Sequence, residues 1–259
     1  MVTSGNRSGA QLLHRASHLL RLLSTAGREG LSTHDVATRS DLTRSTSHRI
    51  LMALEEEGLV DRDKDTGRWV LGPEVYVWGE AAKSRFDISG IAREVLAELA
   101  RETGESAFLS IRRGEESVCI LREEGSFPLR SFVLYEGARF PLGVASAGIA
   151  FLAFEDDHYI SDYLERSRLS ERFGPRYRES EMWERLRATR SRGYSVNPGL
   201  IVEGSWGLAA AVFSGDNHAR WALSLTGVES RFPAKRQQVL GRLLLEHAHH
   251  LGAGIVAAG

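Results

Sequence analysis

Residues 42–51, "LTRSTSHRIL", gather the hydroxyls of Thr43, Ser45, Thr46 and Ser47, the guanidiniums of Arg44 and Arg49, and the imidazole of His48 at the start of a helical pattern. A helix that only fills a core seldom begins this way. Hydroxyls and free first-turn amides hold phosphate oxygens at a helix N-terminus, which assigns that task to Thr43, Ser45 and Thr46. Arginine reads base edges, guanine best, so Arg44, Arg49 and the shorter His48 are placed to reach bases. Further on, Arg62, Lys64 and Arg68 would lie along a nucleic-acid backbone or in a minor groove, and Arg15 would hold a flanking phosphate. The competing reading is that Ser45 and Thr46 only cap and pack while Arg44 and Arg49 are solvated. Asp61, Asp63 and Asp65 oppose phosphate binding and are expected to turn away or to orient the neighbouring cations.

A second stretch, "FPLGVASAGIAF", places Gly143, Val144, Ala145, Ser146, Ala147 and Gly148 around a loop that opens a helix. Small residues let a ligand approach the backbone, and free amides with the Ser146 hydroxyl can hold a carboxylate. Asn197, Glu203, Ser205 and Trp206 lie on the irregular segment "NPGLIVEGSWG", and Phe132 and Trp221 are candidate apolar walls. Tight packing of strand against helix would demand the same small residues, so both readings stand on the residues themselves.

Catalytic and metal chemistry find little support. Ser146 sits in "VASAG", which lacks the first glycine of a nucleophile elbow. The terminal "GAGIVAAG" follows a helix where a dinucleotide loop follows a strand. His247, His249 and His250 read as surface histidines, with no metal-ligand spacing around them. Cys119 is the single cysteine, so neither an intrachain disulfide nor a multi-cysteine metal site is possible. No cofactor and no metal are expected. A hydrolase with an accessory winged helix and a sensor whose winged helix binds protein remain the alternatives.

The 259 residues carry a net charge of −1, yet residues 1–54 hold seven arginines against three acids, 7 − 3 = +4. That local excess favours a polyanionic partner. No signal-like or membrane-spanning apolar run is present, and the cytoplasm is the expected compartment.

These groups need elements to position them. Leu12, Ala16, Leu19, Leu20 and Leu23 recur at helical spacing and stop near Gly27. Ser32 and Asp35 form a capping box for a short helix that breaks at Asp41, whose short polar side chain tolerates a left-handed backbone. A third helix starts at Thr43 and ends at Gly58, with Thr46, Ile50, Ala53 and Leu54 inward and Arg44, Ser45, His48, Met52 and Glu55 outward. Residues 59–61 then pair with 68–71 across a charged turn. This is a winged helix-turn-helix, whose third helix enters a major groove. The expected organisation is a loose, disordered arm over 1–10, the winged helix-turn-helix over 11–72, a linker helix over 73–87 and an α+β domain with an antiparallel sheet over 88–259. Within the last, a helix over 88–103 precedes the strand-like runs "SAFLSIRRG" and "ESVCILREE", extended chain over "RSFVLYEGARFPLG", several helices, the apolar strands "WGLAAAVFS" and "ARWALSLTG", and a closing helix.

"LTRSTSHRILMALEEEGLVDRDKDTGRWVLGP", "ARFPLGVASAGIAFLAF" and "SRGYSVNPG" together resemble the IclR family of bacterial transcriptional regulators, from about Arg15 to Ile255. The resemblance implies a DNA-binding winged helix, a linker helix and a C-terminal GAF-like domain that binds a small effector and mediates oligomerisation, as a homodimer or a dimer of dimers. It also implies a ligand-responsive regulator, read here as a repressor, with double-stranded DNA bearing an inverted-repeat operator as partner and no membrane. Where family members usually carry glycine this chain has Asp41; they often have histidine near Gly143, lysine at Ile149 and cysteine at Gly207. Those last three lie around the expected ligand site, so the effector is not inherited from better-known members.

Overall fold

A computed structural model describes residues 5–83, 88–129, 131–214 and 218–258. The chain divides into two compact units, residues 1–87 and 88–259.

In the first unit α1 (Gly5–Ala26) leads through a short 3-10 turn to α2 (Thr33–Ser40), α3 (Arg44–Glu56), the hairpin β1 (Val60–Arg62) and β2 (Trp69–Leu71), and α4 (Pro73–Lys83). The capping box at Ser32 forms in full: its hydroxyl accepts from the Asp35 amide, and the Asp35 carboxylate accepts from the Ser32 amide. Asp41 ends α2 at φ 55°, ψ 35°, the left-handed conformation expected of it. Leu19, Leu23, Val36, Leu51, Val60 and Trp69 make a closed core beneath the three helices and the hairpin.

Three expectations change here. Residues 5–10 belong to α1 and not to a loose arm; extending a formed helix adds one hydrogen bond per residue ordered, and no proline intervenes to stop it. Residues 1–4 of that arm lie outside the described residues. Leu12 does not point inward: it is 54% exposed, and Leu13 70%, because the first turns of α1 overhang the core. On α3 the buried stripe is Ser47, Ile50, Leu51 and Leu54, with Ala53 exposed, a rotation of the expected face by less than one residue step. α4 occupies most of the expected linker and exposes Tyr76, Val77 and Trp78; residues 84–87 lie outside the described residues.

The second unit follows α5 (Ser89–Thr103) with a six-stranded antiparallel sheet of order β5-β4-β3-β8-β7-β6. Its strands are β3 (Ser106–Arg113), β4 (Glu116–Glu123), β5 (Arg139–Pro141), β6 (Tyr194–Pro198), β7 (Ser205–Phe213) and β8 (Ala219–Val228). Between β5 and β6 run α6 (Ser146–Ala153), α7 (Asp157–Ser167), the short α8 (Leu169–Phe173) and α9 (Glu179–Arg192), and α10 (Ala234–Ala258) closes the chain. Side chains alternate along each strand. Trp221, Leu223 and Leu225 pack toward α5 and α10, while Ala209, Ala211 and Ala222 pack toward α6, α7 and α9. Both faces are covered, which is why β7 and β8 read as near-continuous apolar runs. α6 is buried on every side, as its all-round apolar sequence requires. This is the GAF-like arrangement of helices on both faces of an antiparallel sheet.

Of the extended chain expected over residues 130–143, only Arg139–Pro141 pairs as a strand, and it does so at the sheet edge with β4. The preceding described residues, 131–138, form turns that carry Val133 and Leu134 back over the sheet. β6 and α8 were not anticipated. β6 follows directly on Gly193, which ends α9 at φ 83°, and its five residues are too short to show a period.

Candidate nucleic-acid interface and effector pocket

The beginning of α3 stands clear of the first unit's core. Thr43 is its N-cap: the Oγ1 atom accepts from the Thr46 amide at 3.2 Å and contacts the Ser45 and Thr46 hydroxyls at 3.1 and 2.8 Å. Arg44, Ser45, His48 and Arg49 are exposed, Thr46 half-buried and Ser47 wholly buried. The charge order along α3 is the reverse of what its own stability asks. Cations cluster at the N-terminus, where the helix dipole is already positive, and Glu55, Glu56 and Glu57 crowd the negative C-terminus. A polyanion at the N-terminal end reverses that penalty, which a solvated surface would not do.

The hairpin is a wing tied to α3 and α2. Trp69 is fully buried, and its indole N–H donates to Thr33 Oγ1 at 2.9 Å. The His48 ring meets it edge-on with centroids 6.3 Å apart. The Arg62 guanidinium lies 5.6 Å from the Trp69 ring centre and donates to the Gly67 carbonyl. Lys64 projects from the tip. Arg68 is less free than expected: it reaches the Gly30 carbonyl at 3.4 Å and the Asp35 carboxylate at 3.5 Å, so it braces the wing against α2. Arg15 sits half-buried on α1.

Asp63 organises the turn. Its Oδ1 accepts from the Thr66 amide and hydroxyl, both at 2.7 Å, and from the Asp65 amide at 3.2 Å. These bonds, the Thr66 hydroxyl first, hold the carboxyl below its ordinary value of 3.8. A depressed carboxylate contributes order that is complete above the ordinary value and is lost as pH falls through the native one. Thr66→Val is therefore expected to raise the Asp63 pKa toward 3.8, measured by carboxyl NMR titration; an unchanged titration would remove Thr66 as the cause.

In the second unit a narrow cleft of about 30 Å3 opens at the N-terminus of α6. Ala145 and Ser146 form its floor, Asn197, Ser205 and Trp206 one side, and Val133, Leu134, Phe140 and Ile201 an apolar lid. Its walls lie close together, so an occupant must part them. Every lining side chain is uncharged. α6 has no side-chain cap, so its first-turn amides have no partner within the helix, and among the described residues the buried Thr226 hydroxyl on β8 has none either. Asn197 is already committed, donating to the Val144 carbonyl at 2.8 Å and accepting from the Leu200 amide at 2.9 Å, so it shapes the loop mouth. The Ser131 and Ser205 hydroxyls meet at 2.5 Å and latch the lid segment to β7.

The expected pocket residues thus separate. Ala145, Ser146, Asn197, Ser205 and Trp206 converge, whereas Gly143, Val144, Ala147 and Gly148 pack behind them. Gly143 is small for a packing reason: at φ 84°, an added Cβ would stand 2.5 Å from Met182 Cε. Glu203 is exposed and Phe132 is 78% exposed, so neither lines the cleft. Trp221 belongs to the opposite face of the sheet. Gly207, which the family resemblance placed around the site, does line it, whereas Val133, Leu134, Phe140, Ile201 and Thr226 were missed from the sequence. The alternation along β7 and β8 puts Gly207 and Thr226 on the α6 face, and that signal was available once both strands were recognised.

Ile149 is fully buried inside α6. Cys119 is buried, and burial first, then the Glu136 charge, pushes its thiol up to about 12. His247 is not a surface residue: its side chain is 12% exposed and faces Glu98 and Glu102 of α5.

The comparisons agree with this architecture. The model of the IclR helix-turn-helix domain matches residues 12–64, and that of the bacterial transcriptional regulator IclR C-terminal domain matches residues 80–253. The glycerol operon regulatory protein of Streptomyces griseus is 31% identical over 222 residues, 85% of this chain and 86% of its own. The HTH-type transcriptional regulator BhcR of Paracoccus denitrificans (strain Pd 1222) is 29% identical over 249 residues, 95% of this chain and 88% of its own. The crystal structure of an IclR transcriptional regulator from Alicyclobacillus acidocaldarius superposes with a TM-score of 0.76 at 25% identity, covering 95% of this chain and 98% of that one. The chain belongs to the IclR family of bacterial transcriptional regulators, and it is a ligand-responsive DNA-binding regulator with an N-terminal winged helix-turn-helix and a C-terminal effector domain.

Proposed function

We propose that this regulator is a cytoplasmic homodimeric repressor, not an enzyme, that binds an inverted-repeat operator through the α3 tips and is released when a small organic carboxylate enters the cleft at α6. The reversed charge order of α3 carries the DNA half of this reading. The uncapped amides of α6 beside the unpartnered Thr226 hydroxyl, within apolar walls, carry the effector half. Arg44, His48 and Arg49 are assigned to base edges, Thr43, Ser45, Thr46, Arg15, Arg62 and Lys64 to phosphates, and Arg68 to holding the wing.

Exposed Leu12, Leu13, Tyr76, Val77 and Trp78 are apolar surface of the kind a second copy covers, and two-fold pairing would set the half-sites about one helical turn apart. Repression is favoured by the relatives named as the repressors AllR and IclR. Among the described residues no histidine or carboxylate lines the cleft beside Ser146, which favours binding over hydrolysis.

The test is fluorescence anisotropy with duplex DNA from beside the protein's own gene against random duplex. It is joined to a thermal-shift screen of small aromatic and aliphatic acids, where a ligand of the folded state raises the melting temperature. Gly207→Leu, which drives a side chain at Ser146 Oγ, is expected to abolish the acid response while leaving DNA affinity intact. Equal affinity for random DNA would sink the operator reading, and turnover lost in Ser146→Ala would favour a hydrolase.

A further inference from the structure

A larger cleft of about 410 Å3 lies between α9, β6 and the start of α10. Three guanidiniums line it, those of Arg176, Arg185 and Arg192. Among the described residues none of them forms an ion pair. Arg176 donates to the Pro198 and Gly199 carbonyls at 2.8 and 3.2 Å. Arg185 donates to the Arg176 carbonyl at 2.7 Å and to Met182 Sδ, over the Tyr177 ring. Arg192 lies over the Tyr194 ring, 5.5 Å from its centre.

Glu181 and Glu184 border the same cleft from exposed positions. They act on Arg185 from a distance only: burial is the largest influence on that guanidinium and holds it below its ordinary value, so its lost hydration is incompletely replaced. Carbonyl and ring contacts keep the three side chains in place without neutralising them. Other part-buried guanidiniums of this unit do meet carboxylates: Arg112 pairs with Glu155, and Glu105 is buried between Arg231 and Arg236 at 2.8 and 2.6 Å. Planar guanidiniums fixed in this way present forks suited to carboxylate or phosphate oxygens.

We propose that this cleft is a second ligand site, which takes a small organic dianion, a phosphate monoester or a dicarboxylate, with its body against Trp206. Trp206 is also a wall of the inner cleft at α6, so the two sites share one side chain while the proposal stands without any occupant of the inner one. A dianion held by the arginines changes the surroundings of the Trp206 indole, which makes its emission a reporter.

Calorimetric titration of the full chain with inorganic phosphate and with malonate, at fixed ionic strength set by potassium chloride, tests this. Saturable binding of at least one is expected. Arg192→Ala, at an exposed position, is expected to weaken it about tenfold, the size of one lost charge-assisted contact. Arg187→Ala on the same helix is expected to leave it unchanged. Phosphate preference would assign a phosphate ester and malonate preference a dicarboxylate. Binding should alter tryptophan emission in the wild type but not in Trp206→Phe. No saturable heat with either probe, or heat unaffected by Arg192→Ala in a variant that melts like the wild type, overturns the proposal.

Discussion

Arg44→Ala is expected to lower affinity for the specific operator by about 1–3 kcal/mol, roughly 5- to 150-fold, while affinity for random duplex falls far less. Arg44 is the first residue of α3, exposed, and no acid shares its turn. Its charge therefore has no internal function that its loss would expose. A contact to a base edge is lost only where that base is present, so the ratio of specific to random affinity carries the result. Lys64→Ala is the contrast. A phosphate contact from the wing tip weakens all sequences alike and reduces the salt dependence of binding by about one counterion. Anisotropy titrations at several salt concentrations separate the two. A loss below a few tenths of a kcal/mol for Arg44→Ala on every sequence would remove it from the interface.

Trp69→Ala should abolish DNA binding by a different route. The indole is fully buried and reaches no solvent, so it cannot touch a duplex. It fills the junction of α1, α3 and the wing, pairs through its backbone with Leu31 at 3.0 and 2.8 Å, and holds Thr33 through its N–H. Truncating a buried tryptophan costs about 3–5 kcal/mol, a large share of what a small unit has. The expected result is loss of the first unit's cooperative melting together with DNA binding, while the α6 cleft still answers to its ligand. Trp69→Phe, which keeps most of the volume, should retain the wing at a smaller cost. A Trp69→Ala chain that melts normally would show that the junction repacks.

The helices and most strands could be read in the chain because their causes are local. The Ser32 capping box, the left-handed Asp41 and the Thr43 cap each act within four residues, and each formed as expected. Local reading failed where the cause lay elsewhere. The turns over 131–138 look extended by composition, but only three residues find an open sheet edge to pair with. β6 lacks a period of its own and exists because β7 offers it a partner. Arg68 reads as a free cation until Asp35, thirty-three residues earlier, is brought to it.

Charge placement and caps along residues 32–68 were enough to establish that this protein presents a cationic helix tip and a wing, since neighbours in the chain are neighbours in space there. The two clefts could not be obtained that way. The inner one joins Val133, Ser146, Trp206 and Thr226, groups from separate segments that meet only because β7 and β8 pair in one register and α6 lies across them. A shift of one residue would turn Gly207 and Thr226 to the opposite face. That register is a property of the packed sheet, and with it comes the division between a neutral pocket and an arginine-lined one on the two sides of Trp206.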